Sequence, residues 1–218
     1  MDEKNCDYIL KYIIIGDSSV GKTNLLLNIK NKQFREIAQK TIAFQFNSFD
    51  INLDNKVYKI NIWDTAGSES FRTIISELFK NIVCALIVYE IDNKKSFENI
   101  PKWIEECKNN APKTALMILI GNKRDLEDNR EVSKDEGREL AEKNRMEFLE
   151  TSAKTGKNVE EVFKRSIAII AKRMKEDFYD LESDKCGIKI IKDENSSLSE
   201  NSSKKEENKG SEYRCCCK

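Results

Sequence analysis

The sequence predicts an α/β fold, a mostly parallel sheet with helices on both faces. Three observations predict it. Uninterrupted apolar runs, Tyr12-Ile13-Ile14-Ile15, Ile82-Val83-Cys84-Ala85-Leu86-Ile87-Val88-Tyr89 and Ala115 to Ile120, suit strands covered on both faces. Segments of helical pattern alternate with these runs, as crossover connections in a parallel sheet require. The first run also feeds directly into Gly16-Asp17-Ser18-Ser19-Val20-Gly21-Lys22-Thr23. That stretch fits G-x-x-x-x-G-K-[ST], a phosphate-binding loop whose context is strand, glycine turn, helix.

Asp7 to Ile15 is the first strand, and Asn24-Leu25-Leu26-Leu27-Asn28-Ile29 carries the first helix. Lys30 to Lys40 is polar. Phe44-Gln45-Phe46 and Phe49-Asp50-Ile51-Asn52-Leu53 alternate as a strand, with a phase slip that a bulge or a change of face would absorb. Asp54-Asn55-Lys56 is a turn and Val57 to Trp63 alternates again, so the two runs make an antiparallel hairpin. Asp64-Thr65-Ala66-Gly67 closes that strand. Ser68 to Lys80 reads as a loop or a weak helix, and Asn81 to Ile91 as a strand buried on both faces. Ser96 to Asn110 is a helix with Ser96 as N-cap and Pro112 beyond its end. Ala115 to Ile120 is the next strand and runs into Gly121-Asn122-Lys123-Arg124-Asp125. Ser133-Lys134-Asp135-Glu136 is a capping pattern opening a charged helix. Glu147 to Thr151 is a short strand and Ser152-Ala153-Lys154 a loop. Asn158 to about Lys175 is amphipathic, with Val159, Val162, Phe163, Ile167 and Ile170 on one face. Six strands result, one of them an antiparallel edge strand. From Asp177 onward Ser, Asn, Glu and Lys dominate, and Ile188, Ile190 and Ile191 are the only apolar cluster. The expected division is a short extension over 1–7, a folded domain over 8–176 and a flexible tail over 177–218.

Composition removes several function classes. Lys+Arg and Asp+Glu balance at 38 each, so no net field draws nucleic acid. Histidine is absent from the chain, which excludes His acid–base catalysis and His metal ligands. Catalysis must then rest on carboxylates, hydroxyls, amides, Lys or Arg, and a bound metal. Met1-Asp2-Glu3-Lys4-Asn5 does not read as a signal peptide, and Asp2 excludes the glycine that myristoylation needs. No apolar run approaches the ~20 residues of a membrane span. Cys6, Cys84, Cys107 and Cys186 are scattered without a C-x-x-C pair, as in a reducing compartment.

The chemistry-bearing residues fall at strand ends, where ligands of open parallel sheets sit. The loop glycines let main-chain N–H groups face a phosphate, and the helix opening near Lys22 adds its positive dipole end. Lys22 supplies a point charge to the β- and γ-phosphates, and Thr23 a hydroxyl ligand for Mg²⁺. Asp64 is placed to bind Mg²⁺ through water, and Gly67 to give an N–H to the γ-phosphate. Asn122-Lys123-Arg124-Asp125 fits N-K-x-D. The Asp125 carboxylate can accept both the N1–H and the 2-amino hydrogens of guanine, a donor pair that adenine lacks. Lys123 offers a stem to cover the base plane, and Asn122 a tie back to the phosphate loop. Ser152-Ala153-Lys154 would add an N–H to the guanine oxygen and a second lysine stem. Phe34 either packs edgewise on the base or on the core. Thr41 is a candidate second hydroxyl ligand for Mg²⁺, present while a γ-phosphate holds its loop closed.

Together these motifs resemble, in order and spacing, the five guanine-nucleotide motifs of the Ras-like small GTPases, over roughly residues 8–176. The resemblance implies a P-loop NTPase fold. It also implies a nucleotide set of Gly16, Asp17, Ser18, Ser19, Val20, Gly21, Lys22, Thr23, Asn24, Phe34, Thr41, Gly67, Asn122, Lys123, Asp125, Ser152, Ala153 and Lys154. The metal set is Thr23, Thr41 and Asp64. Within that superfamily the chain looks like a Rab. Lys59 to Gly67, Ser70-Phe71-Arg72-Thr73-Ile74 and Leu86 to Ile91 track Rab-type segments. Ile120-Gly121-Asn122-Lys123, Arg130-Glu131-Val132, Glu150 to Thr155 and Gly187-Ile188-Lys189-Ile190 look most like the ER-to-Golgi Rab branch, which also contains endosomal relatives. A Rab implies GTP/GDP with Mg²⁺, an exchange factor, a TBC-type activating protein, a GDP-dissociation inhibitor, a Rab escort protein and effectors. It also implies residence on the cytoplasmic face of an intracellular membrane, Golgi/ER or endosomal, with a cytosolic inhibitor-bound pool. Rab tails end in paired cysteines that accept geranylgeranyl groups, and here Cys216-Cys217, or alternatively Cys215-Cys216, would serve. Lys204, Lys205, Lys209 and Arg214 are matched by Glu200, Glu206, Glu207 and Glu212, so stable anchoring needs two lipid chains.

The chain departs from the pattern at the catalytic set of Lys22, Gly67 and residue 68. Ser68 stands where Rabs carry the glutamine that orients the attacking water, and its hydroxyl is too short to replace it. Slow intrinsic hydrolysis is expected. Either this is tolerated because TBC-type proteins bring their own glutamine and arginine, or the switch is controlled almost wholly by partners. In the first switch, Thr41-Ile42-Ala43-Phe44-Gln45-Phe46 puts Ala43 where glycine is usual. Phe46 and Trp63 either keep two parts of the Rab aromatic effector triad or pack in the core, and Leu78 loses the third part.

Overall fold

The first strand is the axis of the molecule. A computed structural model describes residues 6–36, 41, 43–67 and 76–191. β1 (Tyr8–Ile15) pairs in parallel with β3 (Lys56–Thr65) on one side and β4 (Cys84–Glu90) on the other. β2 (Phe44–Leu53) lies antiparallel on the far edge of β3. β5 (Leu116–Asn122) and β6 (Glu147–Glu150) extend the parallel run, giving the order β2-β3-β1-β4-β5-β6. Alternation along β1 divides the interior. Leu10, Tyr12 and Ile14 join the core beneath α1 (Lys22–Asn31), while Ile13 and Ile15 join the opposite one.

The remaining helices cover both faces. α2 (Lys94–Glu98) and α3 (Ile100–Asn110) follow β4, and α4 (Lys134–Lys143) precedes β6. α5 (Val159–Lys175) buries Val159, Val162, Phe163, Ile167 and Ile170, the face read from its periodicity. The Ser133/Glu136 capping box is formed in both directions.

Two details differ from expectation, and an alternative left open by the sequence is decided between them. Helix Ser96–Asn110 is two helices. Asn93, not Ser96, is the first N-cap and accepts from Ser96 N at 3.3 Å, while Ser96 is buried within α2. Pro101 lies in the first turn of α3, where its missing N–H costs nothing, so a second helix starts there. The phase slip in β2 is a change of face and not a bulge. Its register against β3 is continuous from Phe44↔Thr65 to Leu53↔Lys56, so Phe46 and Phe49 lie on opposite faces.

The second difference concerns the expected tail. Residues 177–191 fold back onto the domain and add a seventh strand. Tyr179, Cys186 and Ile188 are buried in the core under α5, and β7 (Ile188–Ile190) pairs antiparallel with β1. β4 meets β1 only from Tyr12 upward, so the amino half of that edge is open and β7 fills it. Lys11 N donates to Gly187 O and Ile191 N to Asp7 O, each at 2.9 Å. Residues 192–218, with Cys215, Cys216 and Cys217, and residue 68 lie outside the described residues. Among the described residues, no helix is long and apolar enough to cross a membrane.

Candidate functional site

The carboxyl ends of β1, β3 and β5 converge with the loop after β6, and the predicted site residues gather there. Gly21 caps α1 with φ 96, a left-handed value. A Cβ on it would stand 2.3 Å from Asn122 Nδ2, so only glycine brings the base-side loop this close. Lys22 is buried and folds back over the loop. Its Nζ donates to Gly16 O and Asp17 O, both at 2.7 Å. Burial pulls its ammonium down to about 8, against the opposing pull of Asp64 and Asp17. A bound phosphate would supply the missing counter-charge.

The three expected metal residues meet. Thr23 Oγ1 donates to Asp64 Oδ2 at 2.6 Å and lies 3.0 Å from Thr41 Oγ1. Asp64 is fully buried at the end of β3. Burial raises its carboxyl pKa, opposed by the Thr23 hydrogen bond, the Lys22 charge and the Thr41 hydroxyl. Its second oxygen, Oδ1, is buried with no hydrogen-bond partner among the described residues. An orphaned carboxylate oxygen beside two hydroxyls is an all-oxygen donor set, and it fits a hard cation such as Mg²⁺ that completes its shell with phosphates and water. Gly67 presses against the Asp17–Ser18 peptide, where an added Cβ would lie 2.2 Å from Ser18 N. Ala43 sits at φ 59, so the position where glycine is usual does hold a left-handed conformation, and the methyl carries that strain.

On the base side, Asn122 is the hub. Its Nδ2 donates to Val20 O at 2.9 Å, and its Oδ1 accepts from Thr151 Oγ1 at 3.1 Å and Ala153 N at 3.2 Å. One buried amide thus ties the phosphate loop to the loop after β6. Asp125 Oδ1 accepts from Ser152 Oγ at 2.5 Å. Lys123, at φ 64, pairs its ammonium with Glu90 at the end of β4, which holds its stem. Lys154 is exposed.

Some expected residues serve in other ways. Asn24 does not point at the phosphate loop. Its side chain takes both main-chain groups of Arg35, with Nδ2 to Arg35 O at 2.9 Å and Arg35 N to Oδ1 at 3.1 Å, and so fixes the segment bearing Phe34. Phe34 is 39% exposed, which rules out the core-packing alternative. Phe46, at 42%, is likewise on the surface, with its ring 4.9 Å from that of Trp63. Asp17 turns its carboxylate to α3.

Sequence reasoning missed Glu90, Thr151 and Asn28, whose Nδ2 donates to Ala153 O at 3.1 Å. Glu90 was open to discovery, because a charged residue closing an otherwise apolar strand sits where ligands bind. Thr151 and Asn28 carry no local signal.

A family model described as the Ras family matches residues 11–172. The Ras-related protein Rab-2B of Dictyostelium discoideum is 46% identical over 175 residues, which span 79% of this chain and 87% of that protein.

Proposed function

The chain belongs to the Ras family as a Rab-type small GTPase, and from that premise we propose that it is a membrane-anchored GTP/GDP switch in vesicle traffic that recruits effectors when GTP-bound. The observation that carries this reading is the joining of phosphate loop, oxygen cluster and base loops through Thr23, Asp64 and Asn122. The main-chain N–H groups of Gly16–Thr23 and the Lys22 ammonium hold the β- and γ-phosphates. Asp125 selects guanine, and the stems of Lys123 and Lys154 flank the base. Thr23, Thr41 and Asp64 hold Mg²⁺, which when bound neutralises charge developing on the phosphate oxygens. Gly67 N–H is directed at the γ-phosphate. Cys216 and Cys217, or Cys215 with Cys216, carry geranylgeranyl groups. The escort protein and GDP-dissociation inhibitor handle the lipidated chain, and an exchange factor and a TBC-type activating protein set the cycle. The motif segments favour the ER-to-Golgi branch with its endosomal relatives, and so residence on the cytoplasmic face of a Golgi/ER or endosomal membrane.

Ser68 favours a second reading, a GTP-binding scaffold with negligible hydrolysis. Single-turnover GTP hydrolysis with and without a TBC-type activating protein separates the two. We expect slow loss of γ-phosphate alone and fast loss with the activator. No loss in either condition would leave only the scaffold. Ser68→Gln should raise the intrinsic rate, and an unchanged rate would defeat the account of Ser68. Competition between GTP and ATP for the site tests Asp125: ATP binding as tight as GTP would remove the guanine assignment.

A further inference from the structure

Asp17 lies within the phosphate loop, yet its carboxylate is engaged elsewhere. Oδ1 accepts from the Trp103 indole Nε1 at 2.8 Å, and Oδ2 accepts from Asn99 Nδ2 at 2.7 Å. Both donors stand at the start of α3: Asn99 caps the helix, and Trp103 lies in its first turns with its ring buried. The main chain of the same residue serves the other side of the loop. Its carbonyl accepts from Lys22 Nζ at 2.7 Å, and its peptide carries the close packing of Gly67. Asp17 therefore touches the loop lysine, the glycine after β3 and α3 at once.

Two physical consequences follow. A free carboxylate in a loop that receives phosphate is a like charge that opposes the ligand. Two N–H donors hold it against α3, and bonds to an ionised acceptor are of the stronger kind. The loop also keeps Ser19 at φ 69, a left-handed conformation that a non-glycine residue disfavours. The cradle is thus not the relaxed form of this segment. A side chain that locks it before the ligand arrives lowers the ordering cost of binding.

We infer that Asp17 is a positioning residue, whose bonds to Asn99 and Trp103 lock the phosphate loop to α3 and hold its N–H cradle ready for the β-phosphate. The inference rests on the proposed reading of Gly16–Thr23 as a nucleotide-phosphate site. Two donor variants of the full chain test it, and Asp17→Asn serves as a control on the acceptor. Trp103→Phe removes one donor and keeps most of the ring. Asn99→Asp is nearly isosteric and replaces the other donor with a like charge. The readouts are GDP and GMP affinities by competition against fluorescent GDP, GDP dissociation rates, and the Trp103 indole N–H resonance.

The preference for GDP over GMP should fall about tenfold in Trp103→Phe, the size of one lost charge-assisted bond, and more in Asn99→Asp. The change should reside in the GDP off-rate, with GMP affinity within about twofold of wild type. Asp17→Asn should shift the indole resonance. Equal weakening of GDP and GMP would mean that the bonds serve only the fold, and would overturn the inference. So would an unchanged GDP/GMP ratio in both variants. Wild-type protein that fails to bind GDP would instead remove the nucleotide-site reading itself, so the two failures are distinguishable.

Discussion

Replacing Asn122 by alanine should cost more in nucleotide retention than one lost amide suggests. The side chain makes three hydrogen bonds, to Val20 O, Thr151 Oγ1 and Ala153 N, and all four residues are buried. Truncation strands a carbonyl, a hydroxyl and an N–H. Each stranded buried group costs about 1–3 kcal/mol, so even at the low end the total is roughly 3 kcal/mol. Because the amide joins the phosphate loop to the loop after β6, that loss is shared between folding and ligand retention. If most of it falls on the bound state, GDP should dissociate on the order of 100-fold faster, at 1.4 kcal/mol per tenfold. Asn122→Asp divides the effect. It keeps an acceptor for Thr151 and Ala153 but turns an oxygen toward Val20 O, so it should lose the phosphate-loop tie alone. Stopped-flow release of fluorescent GDP, with thermal melts of both variants, measures the two parts. An off-rate within threefold of wild type for Asn122→Ala, beside a melting temperature lowered by the full amount, would refute the coupling.

Three further outcomes are expected. Gly187 sits at φ 75, and a Cβ there would lie 2.6 Å from Asn81 O and Val83 N, both main-chain atoms that cannot step aside. Gly187→Ala should release β7, so that hydrogen exchange at the Lys11 amide, which donates to Gly187 O, speeds up about 5- to 30-fold for a left-handed penalty of about 1–2 kcal/mol; unchanged protection there would contradict the packing argument. Lys94 and the Ser133 N–H and hydroxyl hold the Glu136 carboxyl down at about 2, below the ordinary glutamate value of 4.5. Because the folded value is depressed, its contribution is complete above 4.5 and is lost as pH falls through about 2; side-chain carboxyl NMR should give a midpoint near 2, and one near 4.5 would show that the contacts do not persist. Asn24→Ala removes both bonds to Arg35 and should raise exchange at the Arg35 amide several-fold while leaving the β5 amides unchanged; equal change at both would mean that Asn24 supports the whole domain.

The fold was legible wherever periodicity and burial coincide. Ile82 to Tyr89 is apolar without a break because β4 is covered on both faces, and α5 presents the very five residues that its spacing selects. The site was legible as motifs, since each lies at a strand end. Local reading failed where a distant partner decides. Ile188, Ile190 and Ile191 read as a small apolar cluster in a flexible tail, because the burial of Ile188 depends on a gap in the pairing of β1 that only the sheet displays. Ser96 reads as a cap because hydroxyls favour that position, but the helix starts earlier and Asn93 caps it by accepting from Ser96 N. Asp17 was read with its neighbours as a phosphate contact, and nothing in the sequence near it announces a tryptophan eighty-six positions away.

The folded segment before the tail also bears on how the proposed switch faces its membrane. β7 runs antiparallel to β1, so the chain reaches Ile191 beside Asp7, at the amino end of β1. The phosphate loop leaves the carboxyl end of the same strand at Gly16. The root of the tail and the nucleotide site are therefore at opposite ends of the sheet. Phe44 pairs with Thr65 near the carboxyl end of β3, so the exposed Phe44 and Phe46 rings lie toward the nucleotide pole as well. On the proposed attachment at Cys216 and Cys217, only the residues after Ile191 separate the lipid from the domain. At most ~3.5 Å per residue sets an upper bound of roughly 90 Å on that tether. Had the tether begun at Asp177, at the end of α5, it would have been longer by half and rooted beside a different element. The seating of Gly187 and Ile188 thus roots the chain after β7 at the amino end of β1, the end of the sheet opposite the phosphate loop and the exposed Phe44 and Phe46.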